Sequence, residues 1–292
     1  MRCTNLPKSA LRPFEYVPPL VLVSAALFVA PAVGEDEWVG RQFMPKEGCV
    51  IKIGTQEIPA RGVALPYAVS HISGDWLWVG DGWVQKGRVV PLKQADEYYS
   101  VYLRTHPTSA WAHNLRGWTR YEKGDYDNAL ADYDAAVRLD PQDAVAYNNR
   151  GGIWQKKGEY EKALADYNAA IRIDPREIMG YNSLAWLLAT CPADGKRDGK
   201  RAVDMARQAC TLSGWKDPYL MDTLAASYAE SGDFDEAVRW QTKAAAILPA
   251  DQDSGKAIHE RLALYRQKHP YREEPADGKP AGSAEPPVEP AR

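Results

Sequence analysis

Three asparagines, Asn114, Asn148 and Asn182, stand 34 residues apart. A side-chain amide donates and accepts, so a column of them can hydrogen-bond the backbone of an extended peptide without reading its side chains. Other chemistry is sparse. The five histidines are His71, His106, His113, His259 and His269, and none falls in a His-x-x-x-His pattern. No Cys-x-x-Cys is present, so no metal site is expected. Cys49 and His71 alone do not make a peptidase, because no domain remains to carry the reaction. There is no glycine-rich phosphate loop, and Gly117 and Gly151 read as helix-internal. The chain is expected to be non-catalytic and to need no cofactor.

The elements that must position these amides follow from an internal repeat. Gly117-Trp118 through Gly124-Asp125-Tyr126 aligns with Gly151-Gly152 through Gly158-Glu159-Tyr160 at the same 34-residue offset. The alignment continues through Ala129 and Ala163, Tyr133 and Tyr167, Ala136 and Ala170, and ends on Asp140-Pro141 and Asp174-Pro175. Each unit reads as a helical hairpin. Small residues let two antiparallel helices approach, glycine supplies the turn, and proline stops the second helix. One hairpin cannot bury its own apolar face, but a stack can.

This pattern resembles the tetratricopeptide repeat (TPR). The resemblance implies a mostly α chain, a right-handed α-solenoid of hairpins at 109–142, 143–177, 178–216 and 217–250. The third unit departs from the pattern, with a long loop from Cys191 to Gly199 between its helices. Residues 93–108 match only the second helix of a unit, and 254–269 read as a closing helix over the last apolar face. By the same resemblance, the position three before the small residue faces the concave groove. That places Asn114, Asn148, Asn182 and Asp222 there, with Trp111, Trp118, Tyr121, Gln155, Lys156 and Trp186 beside them as anchors for a protein or peptide partner. The same asparagines could instead bond between neighbouring helices, and Trp118 and Trp186 could be packing residues. Arg116 and Arg150 stand where the family more often has an apolar residue, and a carboxylate-binding role is open to them. The basic carboxylate clamp of chaperone-binding TPR domains is not reproduced.

Between 37 and 92 the signature changes to short β-prone runs: Cys49–Ile53, Trp76–Val79, Gly82–Val84 and Val89–Leu92, punctuated by Gly74-Asp75 and Gly80-Asp81. The Gly-Trp-Val element is similar to the last strands of small bacterial SH3-like barrels. That likeness implies a closed barrel of about fifty-five residues leading into the repeats. Trp76, Trp78 and Trp83 then either pack core and rim or offer an aromatic surface to cell-wall or proline-rich peptides.

The N-terminus carries basic Arg2, Lys8 and Arg12, an apolar run from Val17 to Val33, and small residues at Ala30–Gly34. Residues 1–34 read as an export signal, with an uncleaved anchor as the alternative and the only route to a membrane. The expected location is the periplasm or cell envelope. An oxidising compartment permits a disulfide, and Cys191 and Cys210 fall on the two helices of the third hairpin. They pair, or they act as two small buried hydrophobes. Residues 272–292 are poor in large apolar groups and are expected to be disordered. The net charge of −3, without a long basic run, argues against nucleic acid.

Overall fold

The computed structural model describes residues 39–275, apart from 54, 60–65, 81 and 249–252. The expected signal segment, and the tail beyond Pro275, lie outside the described residues.

Eight short strands come first: β1 (Gln42–Pro45), β2 (Val50–Ile53), β3 (Gln56–Pro59), β4 (Tyr67–Ala68), β5 (His71–Ser73), β6 (Trp76–Trp78), β7 (Trp83–Gln85) and β8 (Val89–Pro91). They form two antiparallel sheets, in the orders β4-β1-β8 and β3-β2-β7-β6-β5. The closed barrel implied by the SH3-like resemblance is not what they build. Among the described residues no ladder joins the two sheets. The chain crosses between them instead. Val69 N–H donates to Arg41 O in the first sheet, and Ser70 N–H donates to Trp78 O in the second. A 3-10 turn over Lys86–Arg88 makes the other crossing, from β7 to β8.

Strand alternation decides what each face buries. Phe43 and Val89 point to the second sheet, where they join Ile51, Val69, Leu77 and Val84. Their neighbours Met44 and Val90 point the other way, into a cluster with Ala95, Tyr99, Leu103, Ala112 and Leu115. The first sheet is therefore sandwiched between the second sheet and the first helices. The Tyr99 hydroxyl, fully buried, donates to Pro45 O at 2.6 Å and so meets its hydrogen-bonding need at the junction.

The helices follow: α1 (Leu92–Thr105), α2 (Ala110–Glu122), α3 (Tyr126–Leu139), α4 (Ala144–Lys156), α5 (Tyr160–Ile173), α6 (Ile178–Thr190), α7 (Gly199–Leu212), α8 (Pro218–Glu230), α9 (Phe234–Ile247) and α10 (Asp253–Arg266). Their starts are set by side-chain caps. Ser109, Asp125, Asp143, Asp198 and Asp233 each accept a backbone N–H from the first turn of the helix they precede. The ends of α3 and α5 are set by Asp140-Pro141 and Asp174-Pro175. Proline has no N–H to continue the ladder, and each aspartate accepts the N–H two residues on.

Helices α2 and α3, α4 and α5, α6 and α7, and α8 and α9 pair as hairpins. The first two hairpins are drawn together by one device. A Cβ on Gly117 would lie 2.9 Å from the Tyr133 ring, and one on Gly151 would lie 2.6 Å from Tyr167. Glycine is what lets each buried tyrosine lie against the facing helix. The turns between these helices pass through Gly124 and Gly158 at φ 77° and 76°, where glycine avoids a steric penalty.

Contact along the stack is uneven. The first helices of successive hairpins, α2 with α4, α4 with α6 and α6 with α8, approach one another more closely than the second helices do. Helices crowded on one side and splayed on the other bend the stack, so α2, α4, α6 and α8 line its inner curve. Helix α10 closes the far end, burying Ile258 and Leu262 against Met221, Ala244 and Ala245.

Candidate functional site

Position 16 beyond each repeat arginine holds an aspartate, and the pair closes within the hairpin. Arg116 donates from Nε and Nη2 to Asp132 at 2.9 and 2.6 Å; Arg150 does the same to Asp166 at 2.8 and 2.7 Å. Arg120 and His113 add further bonds to Asp132 at 2.8 and 3.1 Å. Burial alone would raise the Asp132 carboxyl, but the bonds from His113 and Arg116 and the charges of Arg116 and Arg120 outweigh it and hold it below its ordinary value. The carboxylates that these arginines bind are thus the chain's own.

The proposed amide column divides in the same way. Asn114 is buried, and its Oδ1 accepts from Asn149 Nδ2 at 3.0 Å, so it links α2 to α4 and offers no spare oxygen to a ligand. Asn148 and Asn182 differ: the Oδ1 of each is buried and has no hydrogen-bond partner. Asp222 is not available either. It is 5% exposed and accepts from Arg261 Nε and Nη2 at 2.8 and 2.7 Å and from Gln241 Nε2 at 2.6 Å. Burial disfavours the charge on Arg261, yet Asp222 overrides it and raises the guanidinium further. The closing helix has filled the fourth place in the column.

Trp111 packs edge-on against Tyr99 and Tyr102 in the junction with α1. Trp118 packs against the same cluster. Tyr121 lies against Tyr126, and burial raises its hydroxyl. Trp186 is bonded to an extended segment, and that segment is part of this chain. After α10 the backbone turns sharply, with Lys268 at φ 59°, and runs back across α6 and α8. Glu273 is the centre of this contact. Its Oε1 accepts from Trp186 Nε1 at 2.8 Å, its Oε2 from Gln155 Nε2 at 2.9 Å, and its own N–H donates to Thr190 O at 2.9 Å. Behind Gln155, the buried Tyr167 hydroxyl donates to the Gln155 Oε1 at 2.9 Å. Arg272 pairs with Glu230 and reaches Ala189 O at 3.4 Å. The Tyr271 ring lies 5.8 Å from Trp186, with the Arg261 guanidinium over both rings. Arg272 and Glu273, which fall in the stretch expected to be disordered, are therefore placed against the inner helices.

The disulfide is corrected too. Cys191 and Cys210 are free thiols, buried in one apolar cluster. Burial raises both, Cys210 to about 12, so they stay protonated and act as small hydrophobes. Cys49, buried under the second sheet, is pushed up to about 11 by burial, with Arg88 pulling weakly the other way; His71 lies on an exposed strand. That is no environment for a nucleophilic thiolate.

A model of the tetratricopeptide repeat matches residues 114–178, which span α4 and α5 and the better part of the hairpin before them. Within the helical array, residues 114–178 are therefore tetratricopeptide repeat, and α6–α7 and α8–α9 are further hairpins beside them. Solved structures similar to it include TTC0263, a TPR protein of Thermus thermophilus, at 21% identity and a TM-score of 0.48, over 60% of this chain and 91% of that one. A TPR protein from Parabacteroides merdae gives 19% and 0.48, over 61% and 68%. MamA from Desulfovibrio magneticus RS-1 gives 20% and 0.45, over 56% and 88%. No curated protein matches the chain. The TPR array here differs from a plain stack in having both ends covered and its own tail laid on the inner helices.

The β region presents a second surface. Trp76, Trp78 and Trp83, each half-buried, surround an open cavity of about 340 Å³ with Lys52 and Ser73. Trp78 and Trp83 meet edge to face at 5.1 Å, and the Lys52 ammonium lies 5.7 Å over Trp76.

Proposed function

We propose that this chain is an exported scaffold that holds an extended segment of another protein on the inner curve of its TPR array. A repeat stack exposes a long concave surface whose common use is protein binding. The observation that carries the reading is the seat of Tyr271–Glu273: the inner helices already hold an extended stretch of polypeptide by backbone and side-chain bonds together. The Oδ1 atoms of Asn148 and Asn182 are buried and unpaired, at a cost of about 1–3 kcal/mol each, which a peptide N–H would recover once the amide turned toward the groove. The basic and apolar N-terminus supports export to the periplasm or envelope.

The test is affinity capture from envelope fractions with the full chain and with an Asn148→Ala, Asn182→Ala variant. The variant should lose the partner while keeping its melting temperature. Retained capture by a folded variant counts against the column, and recovery of the chain only from the cytoplasm counts against export.

A second reading rests on the indole-lined cavity. The β region, SH3-like in its sequence, would touch peptidoglycan or wall peptides through Trp76, Trp78 and Trp83. Sedimentation with purified peptidoglycan, with and without Trp76→Ala, decides it.

A further inference from the structure

We infer that Tyr271-Arg272-Glu273 is an internal ligand, and that the partner it stands in for presents an aromatic residue, a basic residue and a glutamate or aspartate in succession. The inference rests on the peptide-holding reading of the inner curve and says what that peptide must look like.

The argument starts from the donors. Gln155 Nε2 and Trp186 Nε1 converge on the two oxygens of one carboxylate from two different helices, α4 and α6. Nothing about packing requires this. An indole N–H needs only one acceptor, and Gln155 could turn either end of its amide outward. It does not, because the Glu273 carboxylate only accepts and so takes the NH2 group, while the Tyr167 hydroxyl meets the amide oxygen on the other side. Two neutral donors from different helices, one of them also bonded to a buried tyrosine, form a carboxylate cradle. Both donors are uncharged, so they select a carboxylate by geometry and do not attract every anion.

The flanking contacts define the rest of the motif. Thr190 O, one of the last carbonyls of α6, lacks a helical partner and takes the N–H of the acidic residue. Trp186 and Arg261 form an aromatic and cationic shelf for a ring two residues earlier. Glu230 holds a basic residue between them.

Tethering makes the tail a competitor. A short linker gives an effective concentration on the order of millimolar. If the tail sequence itself binds with a Kd of about 10 µM, any partner's apparent affinity falls by ~100-fold until the tail leaves. The turn at Lys268 sets this aim, since a non-glycine residue at φ 59° is held there against its own preference.

The experiment measures fluorescence anisotropy of a labelled peptide with the sequence of residues 268–276. It is titrated with the full chain, with a Tyr271→Ala, Glu273→Ala variant, and with that variant also carrying Gln155→Ala and Trp186→Phe. The released variant should bind at least ~10-fold tighter than the full chain. Binding should be lost in the cradle variant, and lost for a peptide with glutamine in place of Glu273. Equal affinity of the full chain and the released variant overturns the competition. Equal binding of the glutamate and glutamine peptides, or no binding to the released variant, overturns the cradle. Circular dichroism checks folding, and the full chain with Glu273→Gln alone, which keeps the side chain's size, must show an intermediate gain. Loss of the envelope partner on changing Asn148 and Asn182, with peptide binding normal or absent, reports on the groove separately.

Discussion

The indole Nε1 of Trp186 donates to Oε1 of Glu273, 87 residues further along the chain. With the Gln155 bond to the other oxygen, this is the pin that keeps the segment after α10 on the inner curve. Glu273→Ala removes both bonds, each worth about 1 kcal/mol net. The opening equilibrium should rise roughly thirtyfold, and tryptic cleavage after Arg272, followed by mass spectrometry, should accelerate in proportion. An unchanged cleavage rate would mean the segment is not held by Glu273.

Asp132 is 3% exposed and receives Arg116, Arg120 and His113. Asp132→Asn should cost about 3–5 kcal/mol, because it leaves two guanidiniums without their buried partner. Thermal unfolding of the full chain measures this.

The same carboxyl gives a pH signature. It is held below its ordinary value of 3.8 in the folded chain. Its contribution is complete above that value and is lost as the pH falls through the lower folded value. Urea unfolding of the wild type should therefore weaken below about pH 4, and Asp132→Asn should flatten that part of the curve.

Gly151→Ala places a methyl 2.6 Å from the buried Tyr167 ring. Overpacking of this kind costs about 1–3 kcal/mol. Because Tyr167 also bonds Gln155, displacing its ring should loosen the tail, read by the tryptic assay, as well as lower the melting temperature, read by thermal unfolding.

The thiols of Cys191 and Cys210 should resist iodoacetamide in the native chain and react on unfolding, with no mobility difference on non-reducing gels. A native cross-link would overturn the buried-thiol assignment.

The repeats were legible because their signals are local. Gly117 and Gly151, the glycine turns, and the two Asp-Pro stops each act within one hairpin, so spacing alone exposes them. The spacing of the amides was legible, but their hydrogen-bond partners were not. Asn114, Asn148 and Asn182 occupy equivalent positions, yet Asn149 sits one residue away and takes the oxygen of Asn114. Asp222 was lost to Arg261, a residue 39 positions on, in a helix whose sequence shows only that it is amphipathic. Composition averages over 272–292, and an average cannot show the contacts that Arg272 and Glu273, with Tyr271 just before them, make with the inner helices. Likewise the short strands were visible as β-prone runs, but the crossing at Val69–Ser70 depends on which carbonyls are within reach, and no residue type announces it.

The first sheet abuts α1 through Met44, Val90 and Tyr99, while α10 covers the other extremity through Ile258 and Leu262. Stacks of this type polymerise end to end when a terminal hairpin leaves its apolar side bare. Among the described residues both extremities are covered in this way, so end-to-end addition has no bare apolar side to use there. The inner curve on which Glu273 rests is then a face through which a second chain would be held.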